Sequence, residues 1–327
     1  MNYSIKKENR LIKSIKRFFS RGALFVFYFK FLLYLTFLSN LWYTTSMIDR
    51  QKTDIRIEEL ERLGQFEEDA LENPHFEPLD ADRIDFDRRK ILSKIKTAFA
   101  NIIGRAYLRS LICRRKFVFG KIEGLENIEG LEGGAMVTCN HCHLADHYMA
   151  FLALKKEFGF GFRLHKVIRE GNYSQPGILG MLMRNGNTIP IAQKPEDNLK
   201  LTVGCMKAVK NLLEKNKKVL VMVEQGFWPF YRKPRPLKKG AFLFSAKFMT
   251  PIIPCFLTFE DTDRTGKDGY PVVKFTLHIL PLIHPDPNLS TPENCKMMRT
   301  KNYQAWKEVY ERVYGEELGY STEWDKT

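Results

Sequence analysis

The densest grouping of reactive side chains is CNHCHLADHY at residues 139–148, with His141, His143 and His147, the thiols Cys139 and Cys142, and one carboxylate, Asp146. Three chemistries fit it. Cys139-x-x-Cys142-His143 has the spacing of a c-type haem attachment, which needs an exposed, flexible site rather than the end of an apolar run. His141, His143, Asp146 and His147 form a ligand set suited to zinc or iron. The spacing H-x-H-x-D-H would put one residue fewer between His143 and Asp146, and further ligands would have to come from His165, His278 or His284. His141 and Asp146 alone form H-x-x-x-x-D. If the turn after His141 opens a helix, the carboxylate returns to one ring nitrogen and the other faces a substrate hydroxyl. That is general-base catalysis with the nucleophile supplied by the substrate. The plain alternative is a set of histidines with no role.

Such a pair must sit on a rigid frame, and the sequence provides one. From Phe117 on, Phe117–Ile122, Ala135–Cys139, Phe162–Ile168, Thr188–Ile191, Val219–Glu224, Ile252–Phe256 and Val273–Leu280 read as short buried strands. Helical patterns fall between and after them, at Asn198–Glu214, Gly240–Phe248 and about Pro292–Tyr314. This alternation predicts an α/β domain with a mixed, largely parallel sheet flanked by helices. The reactive run then lies at a strand's carboxyl end, where such sheets place their sites.

The chain as a whole is basic, with a formal net charge of +14 over 327 residues. Nothing reads as a nucleic-acid-binding motif, so no nucleic acid is expected as partner, and an anionic bilayer is. The six cysteines are scattered and read as reduced thiols. Residues 1–45 form a membrane-associating segment: a basic stretch, then the apolar run 22–43 with Lys30 as its only charge. That run is long enough to span a bilayer, at about 20 residues. A helix lying in, or re-entering, one leaflet, with Lys30 reaching the headgroups, is preferred, because a span would export the catalytic domain. Residues 46–116 read as a connector, with a short helix near Ile57–Leu63 and a basic amphipathic helix over 91–112 that packs on the core or lies on an anionic surface. Residues 117–327 are the predicted catalytic domain.

Four blocks in order strengthen the His/Asp reading. Asn140-His141-x-x-x-x-Asp146, the strand after Gly186, the strand ending in Glu224-Gln225-Gly226, and Pro251-Ile252-Ile253-Pro254 together resemble the 1-acylglycerol-3-phosphate acyltransferase superfamily. NHxHxxD, EQGFWPFYRKPRPLKKGAF and PIIPCFLTFEDTD are similar to a bacterial branch of it. The resemblance implies a glycerolipid acyltransferase fold on the cytoplasmic face of a membrane. It implies O-acyl transfer from acyl-CoA or acyl carrier protein to a lysophospholipid hydroxyl, with no cofactor and no metal. His141 would be the general base and Asp146 its orienting carboxylate, with no need for Cys142 as nucleophile. Glu224, Gly226 and Gly186 would belong to the substrate site. The family's arginine after the glutamate block is absent, with Phe227 in its place, and His143 replaces a common serine. Arg232 or Arg235 could supply the lost positive charge, and Lys166 and Arg169 are candidates for phosphate or phosphopantetheine contact. Two other readings stay open: a catalytically silent lipid-binding protein of this fold, and a metal-dependent hydrolase using the histidine cluster.

Overall fold

Strand β2 (Ala135–Cys139) is buried along its whole length, as its unbroken apolar run requires. The computed structural model describes residues 49–71, 76–194 and 196–322. The predicted membrane segment 1–45, including the run 22–43, lies outside them. In chain order the elements are α1 (Arg50–Arg62), α2 (Ile91–Cys113), β1 (Val118–Glu123), β2, α3 (Asp146–Phe158), β3 (Leu164–Arg169), α4 (Glu170–Ser174), α5 (Gly177–Asn185), β4 (Thr188–Ile191), α6 (Leu199–Glu214), β5 (Lys218–Met222), α7 (Gly240–Phe248), β6 (Ile252–Thr265), β7 (Pro271–Ile279) and α8 (Thr291–Tyr314).

The sheet has seven strands in the order β1-β7-β6-β2-β5-β3-β4. All neighbours are parallel except β6 and β7, so β1 and β7 run against the other five. Among the described residues no helix is long and apolar enough to cross a membrane.

One face of the sheet carries the main core. Met136, Val219 and Phe256 pack with Val209 of α6, Phe242 of α7 and Trp306 of α8. In α6 the buried positions Leu201, Cys205, Ala208, Val209 and Leu213 recur at helical spacing, and each large aliphatic contributes about 1.5–3 kcal/mol by leaving water. Helix α8 begins with a capping box between Ser290 and Glu293, Pro292 in its first turn, and ends at Gly315 in left-handed backbone. α3 packs against β2 and β7.

The structure departs from the sequence reading in two places. β6 continues to Thr265, beyond the Phe256 where the sequence reading ends it, because its exposed end pairs with β7 and is held by a Glu260–Lys274 ion pair of 2.7 Å. The stretch read as a connector is also more ordered. Its helix begins at Arg50, and Phe66 and Ala70 beyond it are buried against Trp228. Local periodicity gave no sign of this, since its partners lie far along the chain.

Candidate active site

β2 stops at Cys139, and the next side chain prolongs its pairing. Asn140 Oδ1 accepts the Leu257 amide at 2.8 Å and Nδ2 donates to the Leu257 carbonyl at 3.0 Å. The backbone is thereby free to turn while the edge of β6 stays satisfied. The turn is pinned from the other side by the segment after β5. The His141 amide donates to Glu224 Oε2 at 3.0 Å, while the carbonyls of His141 and Cys142 accept the amides of Trp228 and Phe230.

Asp146 is the first residue of α3, and its amide donates to the His143 carbonyl at 3.1 Å. The five-residue separation therefore closes on itself: Asp146 Oδ2 lies 2.6 Å from His141 Nδ1, and Oδ1 accepts the His147 amide at 2.5 Å. Burial alone would raise the Asp146 carboxyl. The charge and hydrogen bond of His141, then those of His147, outweigh it and hold the group far below the usual carboxylate range. An ionised carboxylate on Nδ1 fixes the proton there in the neutral imidazole, which leaves Nε2 as the basic nitrogen. The His141 side chain keeps 24% of its surface open while Asp146 keeps 1%, so the imidazole is accessible and its partner is not. The Phe227 ring packs 4.6 Å from the His141 ring.

The remaining members of the run take other places. His143 sits among Phe117, Phe275 and Phe230 at 4.7, 4.9 and 5.8 Å, and its Nδ1 accepts the Ala145 amide. Burial pushes it down to about 4, so it is neutral at physiological pH. His147 is lowered by burial and by Lys166, with Asp146 opposing. The Cys142 thiol is pushed well up by burial and by the nearby carboxylates, which suppresses thiolate. Among the described residues no group of three His, Cys, Asp or Glu side chains is disposed to hold a metal ion.

Glu224 is 2% exposed and fully engaged: Oε2 takes the His141 amide and Arg235 Nη2, and Oε1 takes the Arg235 amide. It braces the base. Arg235 corrects the sequence expectation of a phosphate clamp. It is 1% exposed, lies over the Trp228 ring at 4.6 Å, and donates to Glu224, to the Gly226 carbonyl at 2.6 Å and to the Phe66 carbonyl at 2.9 Å. With three of its five N–H groups on protein acceptors and 1% of its surface exposed, the guanidinium is turned to the interior rather than to a ligand. Arg169 is likewise committed, at 2.5 Å from Asp69, whose other oxygen accepts the Phe227 amide. Gly226 is required where it stands, since a Cβ would overlap the Glu68 carbonyl oxygen.

Arg232 remains on the surface, 3.4 Å from Asp261 and above the Phe259 and Tyr314 rings. Lys166 differs from all of these. It projects from β3 beside Gly186, and burial with the Arg105 charge pulls it down to about 8, while Asp146 pulls the other way. Among the described residues it has no ion-pair partner. Sequence reasoning missed Asn140 as a strand extender, Phe227 as the wall beside the base, and Glu61, Glu68 and Asp69 as the far ends of the loop's contacts.

Residues 120–258 match the family model described as Acyltransferase. The chain carries an acyltransferase domain. Both sides of the candidate site lie within the matched residues, from Asn140 to Leu257. Among solved structures, the 1-acyl-sn-glycerophosphate (LPA) acyltransferase PlsC from Thermotoga maritima is similar at 18% identity and a TM-score of 0.44, over 72% of this chain and 100% of that one. A comparison with curated proteins gives no match.

Proposed function

We propose that this acyltransferase moves an acyl group from an acyl thioester, acyl-CoA or acyl carrier protein, to a hydroxyl of a lysophospholipid or related glycerolipid at the cytoplasmic face of an anionic membrane. The observation that carries the reading is the His141–Asp146 pair, with a buried ionised carboxylate on Nδ1 of an imidazole whose side chain stays 24% exposed. Nε2 takes the acceptor hydroxyl proton as the oxygen attacks the thioester carbonyl. The tetrahedral intermediate collapses by breaking the C–S bond, and the thiolate leaves with the proton that His141 had taken. Asp146 stabilises the imidazolium between the two steps. No acyl-enzyme is needed, in keeping with a buried, protonated Cys142.

With Arg235 and Arg169 committed elsewhere, Lys166 is the best-supported partner for an acceptor phosphate, with Arg232 at the rim. A partly buried ammonium with no ion-pair partner among the described residues offers an anion a favourable pairing. The test is to incubate membrane fractions with labelled acyl-CoA or acyl carrier protein and a panel of lysolipids, then identify the product. Transfer should require His141 and should favour phosphate-bearing acceptors. A His141→Ala variant that folds and turns over at the wild-type rate would sink the assignment.

A further inference from the structure

A second region has the makings of a ligand site, at the opposite edge of the sheet from His141. A cavity of about 1020 Å³ opens at the amino ends of β3, β4 and β5, between those ends and the first half of α2. A strand of five residues, at about 3.3 Å per residue, separates this edge from the base. The cavity is lined by Lys94, Arg163 and Lys217, and among the described residues none of the three has an ion-pair partner.

Of the other cations, Lys215 also lines the cavity and has no ion-pair partner among the described residues, while the rest are held by backbone carbonyls. Arg88 donates to the carbonyls of Arg184 and Thr188, and the buried Lys218 ammonium donates to those of Leu131 and Gly133. Of the acids, Asp87 pairs with Arg89, Glu157 accepts the Gly130 amide, and Glu132 lines the wall. The surplus is positive, and His165 senses it. Burial first, then the charges of Lys217, Arg163, Lys166 and Arg88, push it down to about 4. A field that opposes a proton favours an anion.

Apolar surface flanks the opening. Phe160 lines it and is fully exposed, and α2, which lines the cavity with Lys94, Thr97 and Ala98, also carries Ile91, Ile95, Phe99 and Ile102 at helical spacing, 76%, 60%, 42% and 64% exposed. A stripe of that size is uncommon on a surface meant only for water. Exposed cations beside an apolar fringe match the layering of a bilayer, where phosphates lie just outside the acyl chains.

We propose that this cavity binds the headgroup phosphate of an anionic phospholipid, with Arg163, Lys217 and Lys94 on the phosphate and Phe160 with the α2 stripe in the acyl boundary. The site is separate from the acyl acceptor's and would set the domain's orientation on its membrane. It rests on the membrane reading above, so the experiment separates the two.

Full-length protein is tested by flotation with vesicles of phosphatidylcholine with or without phosphatidylglycerol, and by calorimetric titration with the soluble headgroup glycerophosphoglycerol. Arg163→Glu/Lys217→Glu should weaken both by about tenfold or more, since each surface cation contributes roughly 1 kcal/mol at an anionic membrane. The control Lys247→Glu/Lys301→Glu removes the same charge elsewhere and should leave the titration intact. Ile91→Asp/Ile95→Asp should lose vesicles but keep the soluble headgroup. Equal losses by the two charge reversals in both assays, or no headgroup titration by the wild type, would overturn the proposal in favour of diffuse attraction. An Ile91/Ile95 variant that melts early yet still floats would overturn the rim, showing that the chain itself covers the stripe. Wild type that titrates the soluble headgroup yet ignores every vesicle would uphold the phosphate site and sink the membrane reading alone.

Discussion

The two edges of the sheet handle charge in opposite ways. At the carboxyl edge, Asp146, Glu224, Arg235 and Arg169 each lie within 3.0 Å of an opposite partner or of His141, and all are largely shielded from solvent. At the amino edge, Lys94, Arg163 and Lys217 stand around open space without counter-ions among the described residues. The first arrangement spends its electrostatics on holding one imidazole in one tautomer. The second leaves them available to something outside the chain. Proton transfer needs the former, because a base misplaced by 1 Å loses much of its effect. Capture of a diffusing anion needs the latter.

That contrast is sharpest in activity. His141→Ala should lower transfer by about 10²–10⁴, the usual worth of a positioned general base. Arg163→Glu/Lys217→Glu, assayed with a short-chain soluble acceptor, should leave turnover unchanged. If the cavity variant fails in that soluble assay, the two edges are one site and the comparison collapses.

The next test separates two arginines only three positions apart. Arg235→Met would leave the Glu224 carboxylate buried and unpaired, which costs about 3–5 kcal/mol. The urea midpoint should fall accordingly. Arg232→Met breaks a pair whose side chains keep 44% and 49% of their surface exposed, and should cost about 0–1 kcal/mol. Comparable losses for both would mean that the loop is held by its aromatic residues and that the Glu224 pair matters little.

An effect of similar size, confined to one strand, is expected at Asn140. Its alanine variant leaves the Leu257 amide and carbonyl buried without partners, at about 1–3 kcal/mol for each unsatisfied group. The Leu257 amide should then exchange with deuterium well before the rest of β6. Unchanged protection there would show that the ladder does not need the side chain.

What could be read from the sequence follows the range of the interactions. β2 and the His141–Asp146 closure were legible because everything that makes them, the apolar run and the helix that begins at Asp146, lies within about a dozen residues. Arg232 and Arg235 were not separable. Both belong to one cationic run, and only contacts with Phe66, Gly226 and Glu224 select the second for burial. The supposed connector was opaque for the same reason. Glu61 meets Lys233, and Asp69 meets Arg169 and the Phe227 amide, across one hundred to 172 positions of sequence. A short acidic stretch with no period carries no mark of such partners.

The finest prediction compares two histidines that are silenced by different means. Both His143 and His165 are pushed down to about 4, below the ordinary 6.5. For each, the unfolded chain binds the proton that the folded chain refuses between those values. Stability is therefore full above about 6.5 and falls as the pH drops toward 4. His143→Gln and His165→Gln should each flatten that decline in thermal melts across this window. The causes differ, however. His143 is kept neutral chiefly by burial among aromatic rings, which salt does not touch. His165 is kept neutral by burial and also by Lys217 and Arg163 at a cavity mouth, where about 1 M salt shortens the screening length to roughly 3 Å. Raising salt should shrink the difference between wild type and His165→Gln while leaving that between wild type and His143→Gln in place. If salt shrinks neither difference, the free cations of the amino edge do not reach His165, and the field argued for that cavity is weaker than its residue list implies. If it shrinks both equally, the carboxyl edge is wetter than its packing indicates, and His143 is not sealed among its rings.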